Sequence, residues 1–452
     1  MACSVMWFRR DLRLADNPAL LEAVASGEGV VPVFVIDPAL WQPAGEPRRA
    51  YLLASLESLR RSIGGLVVRS GDPVQVLPEL AAELSPSSVH IAADFGPYGV
   101  RRDAAVADRL EPLGVPLIRT GSSYAVDPGS VTKDGSAGYS VFTPFEKAWR
   151  AHGWPEPAPA PAPVPWVLPE HFDQFPRVGD PTRGLPAAQL PENLSLPEAG
   201  ERAAQSRWRP FLAAGLSRYA KTRDRPDLDA TSRMSVHLKW GEIHPRTLLA
   251  GLDDASADIE STRRYRTELG WREFYADVLY RHPDSARQYY RPAFAAMPYD
   301  EPGARFTAWC AGRTGYPIVD AGMRQLRAEG WMHNRVRMIV ASFLVKDLHI
   351  EWQHGARHFM RWLVDGDLAS NQHGWQWTAG SGTDPAPYFR IFNPVEQGKK
   401  FDPEGHYIRR YVPELGNVSA PEIHLPRDPI VDHAAERRRA LADYETIRAA
   451  GR

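Results

Sequence analysis

From Ser4 to Thr120 short apolar runs alternate with helical patterns, and this alternation limits the fold more than any other feature of the chain. SVMWF (4–8) ends at Arg9-Arg10-Asp11, and Asp16-Asn17-Pro18 then offers a cap and a first-turn proline ahead of ALLEAVA. GVVPVFVID (29–37) reads as a buried strand and RRAYLLASLESLRRSI (48–63) as a helix. LVVRSG with DPVQVLPELAAEL repeats the unit, as do SVHIAADF (88–95), a basic helix after Tyr98, and VPLIRT (115–120). Apolar strands separated by helices imply a parallel sheet covered on both faces. Ligands of such sheets sit at the carboxyl ends of strands. Arg10, Phe34 and Asp94 fall at or just past those ends, which suits a ligand site, although pattern alone slightly favours ordinary loop chemistry. No GxGxxG follows the first strand, so a dinucleotide fingerprint is absent.

The pattern then changes. Residues 153–199 carry alternating prolines from Pro155 to Pro165 and more Pro and Gly beyond, the composition of a partly extended linker. From about Glu201 onward the periodicity is helical. The chain therefore divides into an α/β unit at 1–130, a linker at 131–200 and an all-α unit at 201–452. A formal net charge of -1 gives no overall signal for nucleic acid, so such a partner needs a local basic patch. Cys3 and Cys310 are the only cysteines, which rules out a disulfide framework and a cysteine metal site and fits a reducing, cytoplasmic setting. Met1–Arg13 is too short and too charged for a signal peptide, and no apolar run reaches membrane-spanning length.

Within the helical part, the stretch 330–390 gathers unusual chemistry. Met332–Ile350 has a helix's apolar period, with Asn334 and Met338 four apart on one face beside Arg337. Asp365, Gly366, Asp367, Asn371, Trp375 and Trp377 follow. Close carboxylates and an amide among tryptophans are costly to bury unless something polar and aromatic sits among them. A Trp-rich core with satisfied polar groups is the plainer reading. TSRMS (231–235) offers hydroxyls around an Arg at a helix start, suited to a phosphate or simply to a cap. Glu268, Trp271 and Arg272 share one helical face; a lone Glu there is usually a salt-bridge partner. Arg390, Lys399 and Lys400 form a basic cluster that also suits a solvated face.

Taken together, WFRRDLRLADN, TSRMS, ELGWREFY, RTGYPIVDAGMRQL, GWMHNRVRM, DGDLASN and GWQW resemble the photolyase/cryptochrome family in order and spacing over nearly the whole chain. The resemblance implies an α/β antenna domain, a linker and a helical domain holding FAD. By motif, Tyr219, Thr231, Ser232, Arg233, Met234 and Ser235 would hold the FAD phosphates and ribityl chain. Arg272, Arg337, Asp365, Gly366 and Asp367 would surround the flavin and its ribose, with Asn371 opposite flavin N5. Plant cryptochromes have at that position an Asp that can give a proton; Asn cannot, which favours repair over signalling. Asn334 and Met338 match the class I enzymes for cyclobutane pyrimidine dimers, where the (6-4) enzymes carry a His pair. Glu268 would hydrogen-bond the dimer, Trp271 and Trp377 would stack on its extruded bases, and Arg337, Arg390, Lys399 and Lys400 would hold phosphates of UV-damaged DNA. The implied activity is light-driven dimer splitting by electron transfer from reduced FAD, without a metal, by a monomer with no membrane attachment. A blue-light photoreceptor is the alternative, though the chain ends at Arg452 with little room for a long signalling tail.

The family reduces FAD through three tryptophans. Trp375 and Trp352 match the first two; the surface position falls on Tyr299, with Trp309 as another outlet. Arg10, Phe34, Val35, Asp94 and Lys239 resemble the site of members with an 8-hydroxy-deazaflavin antenna. Folate-binding members have an Asn-Glu pair where this chain has Arg101-Arg102, so deazaflavin is expected ahead of methenyltetrahydrofolate, FMN or an empty site.

Overall fold

The structure is a computed structural model that describes residues 3–26, 29–133, 135, 137–168, 194–255, 258–383 and 389–450. Five parallel strands, β1 (Cys3–Phe8), β2 (Gly29–Ile36), β3 (Val67–Ser70), β4 (Ser88–Ala93) and β5 (Leu117–Ser122), form one sheet in the order β3-β2-β1-β4-β5. In β1 and β2 the side chains alternate between two cores. Met6, Phe8, Phe34 and Ile36 pack with Leu20 and Leu56, which lie on helices Pro18–Ala25 and Glu46–Ile63. Val5, Trp7, Val33 and Val35 pack on the other face with Leu77 and Val106, from helices Pro73–Leu84 and Pro97–Leu110. Both faces are thus covered, as the continuous apolar runs require. The strand order reverses between β1 and β4, and Arg10 and Asp94 follow those two strands.

After Ser122 the described residues hold helices and isolated bridges only. Part of the stretch expected as linker is helical: Phe142–His152 buries Phe142, Phe145 and Trp149 against Phe274 and Leu269 of the long helix Ile259–Arg281. Those three apolar residues fall at i, i+3 and i+7, a helix face that the surrounding prolines masked. The alternating prolines form neither helix nor strand and bend at Ala162 and Pro163, and at their end Trp166 forms a parallel bridge with Val30. The linker residues 169–193 lie outside the described residues, as do 384–388 of the 330–390 stretch.

The two units are tied by buried polar contacts. Glu242 is fully buried and accepts from Tyr51 Oη (2.9 Å), Ser55 Oγ (2.5 Å) and Gly200 N (2.7 Å). Leu12 N donates to Trp240 O at 3.2 Å, and Gly241, at φ 67°, lies so close that a Cβ would stand 1.8 Å from Arg10 O. Only glycine admits both that conformation and that approach, and the contact fixes where Arg10 leaves β1. Among the described residues no helix is long and apolar enough to cross a membrane.

Candidate functional site

Several elements of the helical unit enclose a cavity of about 470 Å³. Helix Ile259–Arg281 contributes Glu268, Trp271 and Arg272, helix Asn334–Lys346 contributes Asn334, Arg337 and Met338, and helix Leu368–Ala379 contributes Asn371, Trp375 and Trp377. Ser235 and the loop Asp365-Gly366-Asp367 complete it. The i, i+3, i+4 spacing places Glu268, Trp271 and Arg272 on one face of the first helix and Asn334, Arg337 and Met338 on one face of the second, while on the third Asn371 and Trp375 stand four apart and Trp377 reaches the cavity from two residues further on.

The helix expected over Met332–Ile350 is shorter. His333 caps it by accepting from Arg335 N at 3.2 Å, so Met332 precedes it. It ends at Lys346, and His349 turns to φ 51°. Burial pulls the His333 imidazole down to about 4, which keeps it the neutral acceptor that a cap requires.

The cavity's charges are ordered by pairs. Arg337 Nη2 and Ser235 Oγ both donate to Asp365 Oδ2, at 2.7 and 2.6 Å. Asp367 caps its helix by accepting from Ser370 N at 3.0 Å and pairs with Arg10 Nη2 at 2.7 Å. Burial alone would raise the Asp367 carboxyl, but Arg10, Arg272 and Lys239 outweigh it and hold the group well below the usual carboxylate range. Asn371 Nδ2 donates to Ala356 O (3.2 Å) and Gln372 Oε1 (2.7 Å). Both amide hydrogens are therefore engaged, and what Asn371 retains for a ligand is a carbonyl acceptor. Trp271 is held flat by Phe142, centroids 3.7 Å apart at 9°.

Several expected residues stand elsewhere. Tyr219 and Met234 are buried in the core with Phe211 and Tyr265, so their side chains do not reach the cavity. Thr231 and Ser232 line a separate cavity of about 350 Å³ with Arg207 and Arg218, and Ser232 Oγ is engaged by Tyr265 Oη at 2.8 Å. Arg233, at φ 52°, lies over the Trp331 ring at 4.4 Å and pairs with Glu329. That left-handed residue turns the segment, so only Ser235 of TSRMS faces the main cavity. Trp352 is fully buried, and neither it nor Tyr299 lines the cavity.

The basic cluster is dispersed as well. Arg390 lines a small cleft beside Trp377, Lys399 pairs with Glu396 at 2.9 Å, and Lys400 is exposed and lies over Phe401. Neither lysine lines the cavity. At the strand ends, Phe34 sits inside β2 and not past it, and Val35 points to the opposite face into the Leu77 core. Consecutive strand residues cannot share one side-chain ligand. Arg10, Asp94 and Lys239 do come together, with Arg48, and the Arg10–Asp367 pair joins them to the cavity.

Arg223 is a lining residue the sequence reading missed. It forms an ion pair with Glu268. The available signal was its place four residues after Tyr219, one turn along a segment already singled out. Arg335, which lines the cavity and pairs with Asp224 at 2.9 Å, was passed over beside Asn334.

With this geometry in hand, the comparisons are specific. Residues 4–164 match the DNA photolyase family model, and residues 265–446 match the FAD binding domain of DNA photolyase. A deoxyribodipyrimidine photo-lyase of Thermus thermophilus is 40% identical over 97% of this chain and 97% of its own. The chain belongs to the DNA photolyase family and carries its FAD-binding domain. Among solved structures, a bacterial class III photolyase from Agrobacterium tumefaciens superposes with a TM-score of 0.88 at 36% identity, covering 99% of this chain and 98% of that one. A Synechocystis cryptochrome gives 0.87 at 28% identity, covering 97% and 98%.

The cavity fits a flavin. Asp365 Oδ1 and Arg272 Nη2, both on lining residues, are buried atoms without a partner among the described residues. A volume of about 470 Å³ lies within the roughly 300–1,000 Å³ usual for small-molecule sites.

Proposed function

We propose that this chain is a light-dependent deoxyribodipyrimidine photo-lyase that repairs cyclobutane pyrimidine dimers in DNA, with FAD in the 470 Å³ cavity. The observation that carries this reading is the convergence of Glu268, Trp271, Asn334, Met338 and Trp377 on the same cavity as Arg272, Arg337, Asp365, Asp367 and Asn371. Bound FAD, reduced and photoexcited, supplies the electron that opens the cyclobutane ring and takes it back. The chain supplies position and electrostatics. Asp365, oriented by Arg337 and Ser235, accepts donors of the cofactor, and Asn371 accepts an N–H. Glu268 accepts the N–H edge of the dimer, Trp271 and Trp377 stack on its bases, and Asn334 and Met338 form the facing wall. A dimer already weakens stacking, so extruding it costs less than extruding normal bases, and selectivity needs no sequence readout.

In this reading Thr231, Ser232, Met234 and Tyr219 support the site through the backbone and packing, because their side chains lie outside it. The class I expectation rests on Asn334 and Met338. The class III photolyase shares the whole fold, so fold does not separate the classes. The phosphate contacts expected of Arg390, Lys399 and Lys400 are joined by Arg223 and Arg335, which line the cavity. An 8-hydroxy-deazaflavin antenna keeps Arg10, Asp94 and Lys239 and loses Val35; a native protein showing only a folate absorption band would remove it. The chain acts as a monomer in a reducing compartment, which suits a sequence whose only cysteines are Cys3 and Cys310.

The test is anaerobic blue-light illumination of the reduced protein with UV-irradiated oligothymidine, following recovery of thymine absorbance against a dark control. No recovery despite bound reduced FAD would shift the reading to a photoreceptor or another photoproduct.

A further inference from the structure

The aromatic corridor behind the cavity ends on a tyrosine that carries its own base. Trp375 lies over Gly355, where a Cβ would come within 2.1 Å of Cη2 of its ring. The missing side chain lets the indole pack on helix Trp352–Trp362, one turn along from Trp352. Neither indole has an outlet for a proton. Nε1 of Trp375 and Nε1 of Trp352 are both buried and have no acceptor among the described residues. An indole that loses an electron there keeps its proton, so the positive charge stays mobile. Trp309 also touches Trp375, with centroids 6.1 Å apart, but its N–H donates to Val340 O at 3.1 Å. A backbone carbonyl is no base.

The next ring differs. Tyr289 stands edge-on to Trp352 at 6.2 Å, and its hydroxyl donates to Glu351 Oε1 at 2.9 Å. Tyr299, the residue expected at the end of the route, stacks on the outer side of Tyr289 at 6.2 Å and shares a hydrogen bond with its hydroxyl. Among the described residues Tyr299 has no carboxylate of its own in hydrogen-bond contact, and burial pushes its phenol up to about 12. A phenol is a good electron donor when its proton can move to a positioned base within hydrogen-bond reach. Glu351 is partly exposed, so it can pass that proton on to water.

We propose that Tyr289 with Glu351 is the terminal electron and proton donor of the route through Trp375 and Trp352. The inference rests on the FAD reading, with the photoexcited oxidised flavin as the oxidant. One electron leaves the Tyr289 ring for the vacancy on Trp352, which has already passed its own electron through Trp375 to the flavin. The Tyr289 O–H bond breaks, and its proton forms an O–H bond on Glu351. Tyr289 is left a neutral radical, Glu351 a neutral acid, and both tryptophans are restored.

The experiment is flash illumination of the protein loaded with oxidised FAD, read by electron paramagnetic resonance and transient absorption in H2O and D2O. The expected result is a tyrosyl radical whose formation slows in D2O. In Tyr289→Phe a tryptophanyl signal replaces it, and the charge-separated state decays about tenfold faster. Glu351→Gln gives the same loss with the phenol still in place, and Glu351→Asp restores part of it. Unchanged flavin absorption shows that each variant keeps its fold. A tyrosyl signal that survives in Tyr289→Phe, or that is lost only in Tyr299→Phe, would overturn the proposal. Repair is assayed separately on protein reduced in the dark with dithionite. Intact dimers beside reduced FAD sink the repair reading and leave the radical result standing.

Discussion

The 470 Å³ cavity and the strand-end cluster contain similar chemistry, and the residues expected for them fared differently. Glu268, Trp271, Arg272, Asn334, Arg337, Met338, Asn371, Trp375 and Trp377 all reach one cavity. Of the strand-end set, Val35 faces away, Phe34 is core, and Arg10 crosses over to Asp367. The cavity residues come in groups on single helices, where 3.6-residue spacing alone decides what shares a face. The strand-end set is drawn from several elements, across two units, so its charged side chains can turn to partners on other segments. A constellation within one element can be read from spacing; one between elements depends on who else carries charge nearby.

The largest expected effect is on the helical side. Trp375→Phe should abolish photoreduction of bound FAD, measured as bleaching of the oxidised flavin band under blue light with an added reductant. Normal kinetics in that variant would detach the cavity from its corridor. Glu268→Ala should lower dimer repair per absorbed photon about tenfold while FAD content stays constant, the scale of one charge-assisted hydrogen bond. An unchanged yield would leave Glu268 as Arg223's salt-bridge partner and nothing more.

Arg10→Ala tests whether the two clusters are joined. Arg10 helps keep Asp367 ionised far into acid, so its loss should raise the carboxyl. Because the charged form is then lost at a higher pH on acidification, FAD should be released at a higher pH than in the unaltered protein. Flavin fluorescence during an acid titration reads this, and release at the same pH would separate the clusters. Val35→Ala should destabilise the fold by about 2 kcal/mol with no change in chromophore content, since Val35 is core. Altered antenna absorption with normal stability would reverse its assignment.

The smallest effect concerns Lys346, whose ammonium is pulled down to about 7 by burial. Between that value and the ordinary lysine range the unfolded chain holds more protons, so stability rises with pH there. Comparing thermal midpoints near pH 7 and near pH 10, about the ends of that window, should show this rise in the unaltered protein and its absence in Lys346→Met. An equal rise in both would place the titration elsewhere.

Much of the fold was legible because backbone and solvent enforce it locally. Asn17 does cap Pro18–Ala25, accepting from Leu20 N at 3.3 Å, and the apolar runs do form the parallel sheet. TSRMS was legible as a motif but not in its facing, because Arg233 at φ 52° turns the segment between two cavities, and a single left-handed residue leaves no mark in the pattern.

The amino-acid order by itself determined the alternation that makes the sheet, the helical faces that carry Glu268, Asn334 and Trp375, and the family's motifs. Periodicity and local capping decide these over a few residues. Tertiary structure alone decided the pairings that join distant segments: Arg223 with Glu268, Arg10 with Asp367, and Tyr289 with Glu351. A charge or a hydroxyl is satisfied by whichever partner folding brings within about 3 Å, and separation along the chain says nothing of that distance.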